Sequence, residues 1–95
     1  MGSAYVVGRV TVLDPQKWAE YRARVPATLT PWGAELVLRG RQVAAFEGED
    51  PHADIVVIRF ADAATAAQWH DSAAYQALIP LRREAARVVL LCYEA

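Results

Sequence analysis

Arg9 and Arg59 are the two residues that most need explaining. Each interrupts an otherwise apolar, β-branched run, Tyr5–Val12 in one case and Ile55–Phe60 in the other. An arginine carried inward on a strand needs an anionic partner, because a buried charge without one is strongly destabilising. One answer is a ligand bearing a carboxylate or phosphate. The other is an internal acid, with Glu35 and Glu47 as candidates, or a side chain that lies along apolar surface and puts its head in water.

His70 is the best-suited acid–base group, since imidazole titrates near neutrality. Beside Asp71 at a helix end it reads equally well as a surface or capping residue. His52 lies in a turn of Gly, Pro and acidic residues and reads as solvated. Tyr21, with Trp18 and Trp32, lines either a pocket or a core, and Tyr21 needs a hydroxyl partner if buried. Arg39 and Glu47 border the same region. Ser72 and Tyr75 are placed to polarise a substrate carbonyl, although Ser72 also fits a helix N-cap. Cys92 sits in a strand and reads as a small hydrophobe. Two distant histidines and one strand cysteine do not make a metal set. The sequence has no Gly-rich phosphate loop, nucleophile elbow or dinucleotide fingerprint, so no cofactor is expected.

The elements that position these residues follow from the apolar spacing. Tyr5–Val12 predicts a strand. Asp14-Pro15 then caps and opens a helix, because Asp accepts from free N–H groups and Pro has none to leave unpaired. Trp18, Tyr21, Val25, Leu29 and Trp32 recur at helical spacing. Pro26 inside that pattern predicts a kink or a split, and Pro31 and Gly33 an end. Ala34–Arg39 and Gln42–Glu47 flank Gly40-Arg41 as two β-like runs. They fit either a hairpin or one long strand bulged at Gly40. Residues 48–54 form a polar turn, and Ile55–Phe60 is the clearest strand. Asp62 caps a second helix with Ala63, Ala66, Ala67 and Trp69 or His70 inward. Asp71-Ser72 re-caps a further piece carrying Tyr75, Leu78 and Ile79, and Pro80 predicts another kink. Val88–Tyr93 closes the chain as a strand.

This order is the split βαβ arrangement of an α+β, ferredoxin-like sandwich, an antiparallel sheet with both helices on one face. The 95 residues read as a single domain, residues 1–95. Ten basic and eleven acidic residues give a net charge of −1 without a basic face, so nucleic acid is not expected as partner. No leader peptide or membrane span is expected, and a single cysteine fits a reducing cytoplasm.

Strand alternation puts Val6, Gly8, Val10 and Val12 on one face with Val56, Ile58 and Phe60. The other face carries Tyr5, Val7, Arg9, Ile55, Val57 and Arg59. A sheet facing bulk water alternates more cleanly. With 55% hydrophobic residues in so short a chain, the mixed face predicts sheet-on-sheet pairing in a homodimer. The same face is where a small-molecule anion is expected, between subunits.

Several stretches resemble a known family. They are Ala4–Val7 through Asp14-Pro15, Trp18 and Glu20-Tyr21; Val25–Leu29 with Pro31-Trp32-Gly33; and Leu38-Arg39-Gly40, Phe46-Glu47-Gly48 and Val57–Phe60. To these add Ala67–Ser72 with Tyr75–Leu78 and Leu81-Arg82. Together they are similar to the domain of unknown function numbered thirteen-thirty, in the dimeric α/β-barrel group. The resemblance implies a ferredoxin-like subunit whose sheet pairs with a second copy. It implies no agreed reaction: the wider group includes isomerases, cofactor-free monooxygenases, haem enzymes and binding proteins. Arg59 stands where such proteins often carry an acid. Leu78 and Ile79 stand where haem-degrading ones carry an axial histidine, which argues against haem. The expectation is a homodimer that binds an acidic or aromatic metabolite, with or without catalysis. The alternative is a structural or interaction module.

Overall fold

The architecture comes from a computed structural model, which describes residues 2–95. Strand β1 (Ala4–Val12) runs through the middle of the sheet. Helix α1 (Pro15–Leu29) follows, with a tight helical turn at Thr30–Trp32. Strands β2 (Glu35–Arg41) and β3 (Asp54–Phe60) come next. Three helical pieces follow, α2 (Ala63–Asp71), α3 (Ala73–Gln76) and α4 (Ile79–Ala85), and β4 (Ala86–Glu94) closes the chain. Among the described residues the strands form one antiparallel sheet in the order β2-β3-β1-β4. The helices cover one face, so the split βαβ expectation holds.

Local chemistry explains the element boundaries. The Asp14 carboxylate accepts from the N–H groups of Gln16 and Lys17, at 3.1 Å each, and Pro15 fills the first helical position. Pro26 does not split the helix, as the sequence had suggested; α1 runs through it to Leu29. Proline has no N–H to offer the Arg22 carbonyl one turn back, and that side of the helix borders an open cleft. The chain then turns at Gly33, whose φ of 63° belongs to the left-handed region that glycine adopts without strain.

Asp62 and Ser72 cap α2 and α3 through Thr65 N–H (2.7 Å) and Tyr75 N–H (3.2 Å). Pro80 opens α4 rather than kinking it. On α2 it is Ala66 and Trp69 that are buried, whereas Ala67 points to solvent, contrary to expectation. The core joins Val6, Ile58 and Phe60 of the sheet to Tyr21, Val25 and Leu29 of α1 and to Trp69, Tyr75 and Ile79 beyond. Gly8 sits between Val56 and Leu90 on this face; an added Cβ would lie 2.7 Å from Val56 Cγ1.

Two sheet details differ from the sequence reading. Gln42–Glu47 is not a strand, because β3 begins only at Asp54 and its pairing ends at Arg41. Residues 42–53 instead form a loop closed by Gln42 N–H to the Ala53 carbonyl, at 2.7 Å. The bulge lies between Leu36 and Leu38, not at Gly40.

That loop supplies Arg9 with its partner. Arg9 Nη2 lies 2.6 Å from Asp50, and its Nε donates to the same carboxylate at 2.7 Å. Neither Glu35 nor Glu47 takes this role. The hydrogen bond from Arg9, then the His52 N–H, holds the Asp50 carboxyl at about 2. A carboxylate depressed in the folded state stabilises above its unfolded value and loses that contribution as pH falls through the folded one. Wild type and Asp50→Asn should therefore differ in denaturant midpoint near neutrality. They should converge between about pH 4 and about pH 2. The gap should be small, because both side chains are one-third exposed and water screens the pair. Midpoints that stay parallel down to the acid limit would contradict this account.

Candidate functional site

The bulge in β2 decides what faces the helices. Leu36 pairs with Ile58 on the helix face, but Leu38 pairs with Val57 on the outer face. Val37 is the extra residue, and alternation restarts out of phase after it. Arg39 consequently pairs with Val56 and lies on the helix side; an unbulged strand would have put it on the other.

The space it borders is a cleft of about 470 Å³ between α1 and the sheet. That is within the usual range for small-molecule pockets, roughly 300–1,000 Å³. Its floor is aliphatic, from Val10, Val56, Ile58 and Leu90. Trp69 and Tyr75 close its inner end, and α1 forms its roof. Trp18 and Tyr21 stack along that roof with ring centroids 5.1 Å apart. Arg22, Arg39 and Arg41 stand at the mouth, with Asp54 near them. Among the described residues, none of these three arginines has a carboxylate within ion-pairing distance. Partial burial, then the positive charge of Arg22, lowers the Arg39 guanidinium from its ordinary value.

The inner end holds a chain of polar contacts. Arg82 Nη1 donates to the Tyr75 hydroxyl at 2.8 Å, and that hydroxyl lies 2.7 Å from the Tyr21 hydroxyl. Beside it, the Trp69 indole N–H donates to Thr28 Oγ1 at 3.0 Å, and Thr28 Oγ1 donates to the Val25 carbonyl at 2.7 Å. Burial, then the neighbouring Tyr75 hydroxyl, pushes Tyr21 well above the ordinary phenol range, and Arg82 only partly offsets this. Tyr21 thus keeps its proton at any ordinary pH.

The structure brings Tyr21, Arg39 and Tyr75 together and leaves the other candidates elsewhere. Arg9 and Arg59 lie on the opposite face of the sheet, as alternation required. Arg59 meets Glu35 at 3.4 Å, so both outer arginines have acidic partners. Glu47 is exposed in the loop. Ser72 donates to the Trp69 carbonyl at 2.6 Å and caps α3, with no part in the cleft. His70 borders a separate hollow between α2 and β4, 3.5 Å from Asp71. Among the described residues no three His, Cys, Asp or Glu side chains are grouped to hold a metal ion. Sequence reasoning missed Arg22, Arg41 and Arg82. The uninterrupted apolar triplet Leu36-Val37-Leu38 was the signal that alternation slips in β2.

One family model matches residues 3–95. The chain belongs to the family described as Domain of unknown function (DUF1330). No curated protein matches it. Solved structures of the same fold are similar to this DUF1330 chain at low identity. One is a dimeric ferredoxin-like protein of unknown function from Jannaschia sp. CCS1, with TM-score 0.76 and 12% identity, covering 99% of this chain and all of its own (100%). Another is SnoaB, a cofactor-independent oxygenase from Streptomyces nogalater, with TM-score 0.73 and 14% identity, covering 100% of this chain and 94% of its own. A third is a hydroxynitrile lyase from Passiflora edulis, with TM-score 0.76 and 12% identity, covering 99% of this chain and 94% of its own. At these identities the likeness establishes the ferredoxin-like fold of the DUF1330 chain and nothing of its chemistry.

Proposed function

We propose that this DUF1330 chain binds a small, largely apolar or aromatic molecule carrying an acidic group, in the cleft between α1 and the sheet. The observation that carries the reading is the mouth of the cleft: three arginines without ion-pair partners among the described residues stand over an aromatic and aliphatic interior. Apolar walls supply affinity for a flat molecule, and a guanidinium at the rim gives a carboxylate or phosphate its partner. The paired state of Arg9 and Arg59 moves the anion site away from the outer face. Kinship of fold with an oxygenase described as cofactor-independent makes catalysis without a resident cofactor the natural extension.

A thermal-shift screen of aromatic carboxylates and their uncharged amides tests the reading. Carboxylates should raise the melting temperature and the matching amides should not. A screen in which no compound moves it would remove the proposal.

The outer face has a different use. Leu38, Ile55, Leu91 and Tyr93 are 46%, 37%, 39% and 53% exposed there. We propose that a second copy covers this face; a protein of the same fold is described as dimeric. The cleft lies on the other side of the sheet and stays open in such a dimer. Light scattering at micromolar concentration should give twice the chain mass of 10.5 kDa; a monomer mass would contradict it. With a lone cysteine, this dimer is proposed for the reducing cytoplasm.

A further inference from the structure

The polar chain at the inner end of the cleft has a direction. Arg82 has only donors, so its 2.8 Å contact occupies a lone pair of the Tyr75 oxygen. Tyr75 is fully buried, and its own proton must find an acceptor. Among the described residues the only other polar group on that hydroxyl is Tyr21, at 2.7 Å. Both tyrosines border the cleft, but Tyr75 is 0% exposed and Tyr21 8%, so if Tyr21 donated instead the Tyr75 proton would have neither a protein acceptor nor water. Tyr75 therefore donates to Tyr21, and a hydroxyl polarised by a cation is the stronger donor for it. The Tyr21 proton is left with no acceptor among the described residues, on a side chain that lines the cleft.

We infer that Arg82, acting through Tyr75, poises the Tyr21 hydroxyl to donate a hydrogen bond to a carbonyl or enolate oxygen of a bound acid. This rests on the cleft being a ligand site and narrows its ligand to a carboxylate that also carries an oxygen acceptor. The charge of Arg39 serves the carboxylate at the mouth; Tyr21 reads the acceptor inside. Arg82 is a positioning residue, since it does not line the cleft. Burial, the largest cause of its raised value, keeps that proton on Tyr21.

Two near-isosteric probes test it, para-acetylbenzoate, which has a ketone oxygen, and para-isopropylbenzoate, which has a methyl in its place. Wild type should bind the ketone roughly tenfold more tightly, the worth of one well-placed buried hydrogen bond. Its infrared carbonyl stretch should fall below the value in a non-hydrogen-bonding solvent. Tyr21→Phe should bind both probes alike and lose the infrared shift. Arg82→Met should shrink both the preference and the shift while still binding para-isopropylbenzoate as wild type does, which a merely structural role would not do. Equal binding of both probes to wild type, with an unshifted carbonyl, would overturn the inference and leave the cleft reading standing. Binding of neither probe, to any of the three proteins, would count against the cleft reading beneath it.

Discussion

Replacing Trp69 by alanine is expected to bring the chain close to unfolding. Trp69 is 1% exposed and stands where sheet, α1 and α3 meet. Its ring lies 4.2 Å from Tyr75 and 5.3 Å from Phe60, centroid to centroid. Its indole N–H also satisfies Thr28, itself buried. Truncation removes the packing and leaves a void at the inner wall of the cleft. Large-to-small changes of this kind cost about 3–5 kcal/mol. A small domain has a total stability of about 5–15 kcal/mol. Urea unfolding followed by circular dichroism should show the midpoint collapse for Trp69→Ala, with a milder loss for Trp69→Phe. A midpoint within experimental error of wild type would mean that the core is not centred on this residue.

The second large effect concerns binding. Arg39→Gln is expected to weaken an aromatic carboxylate such as para-isopropylbenzoate by about 10- to 100-fold, the loss of a charge-assisted hydrogen bond. Arg59→Gln should leave the affinity unchanged, because Arg59 lies on the outer face with Glu35. Calorimetric titration of both variants decides between the two faces of the sheet. The affinity should also fall with added salt, because the guanidinium is exposed enough to be screened. Weakening by Arg59→Gln with no effect of Arg39→Gln would put the anion on the outer face and contradict the account.

The fold was legible because its signals are local and agree with one another. Asp14-Pro15 and Asp62 announce helix starts through side-chain capping, which depends on a few neighbouring atoms. Alternation in β1 and β3 sorted Val6, Val10, Ile58 and Phe60 to the core, and each is buried. The same alternation put Arg9 and Arg59 on the outer face, where they lie. What failed were the non-local pairings. That Asp50 would reach Arg9, 41 residues away in sequence, depends on the path of the loop, which no periodicity encodes. The strand-like composition of Gln42–Glu47 was overridden because no strand was left to pair with it.

The site was legible only in part. Tyr21, Arg39 and Tyr75 were named from the sequence and share the cleft. The sequence groups them with Arg9 and Arg59 around one pocket, and a regular β2 would carry Arg39 to the outer face beside those two. One extra residue at Val37 reverses that placement. A single bulge therefore changes which arginines face the cavity, and it is marked in sequence only by three consecutive apolar residues. Arg82 escaped notice for another reason: it acts through Tyr75 across α3 and α4, a contact visible only once the helical pieces are packed.

The most direct test of the cleft is side-chain magnetic resonance during titration with para-acetylbenzoate. Methyl groups report the two faces of the sheet separately, since Val10, Val56 and Ile58 face the helices and Val7, Val57 and Leu91 face away. The account predicts saturable shifts at Val56, Ile58 and the Trp69 indole N–H, with the outer-face methyls unmoved. Shifts confined to Val7, Val57 and Leu91 would contradict it.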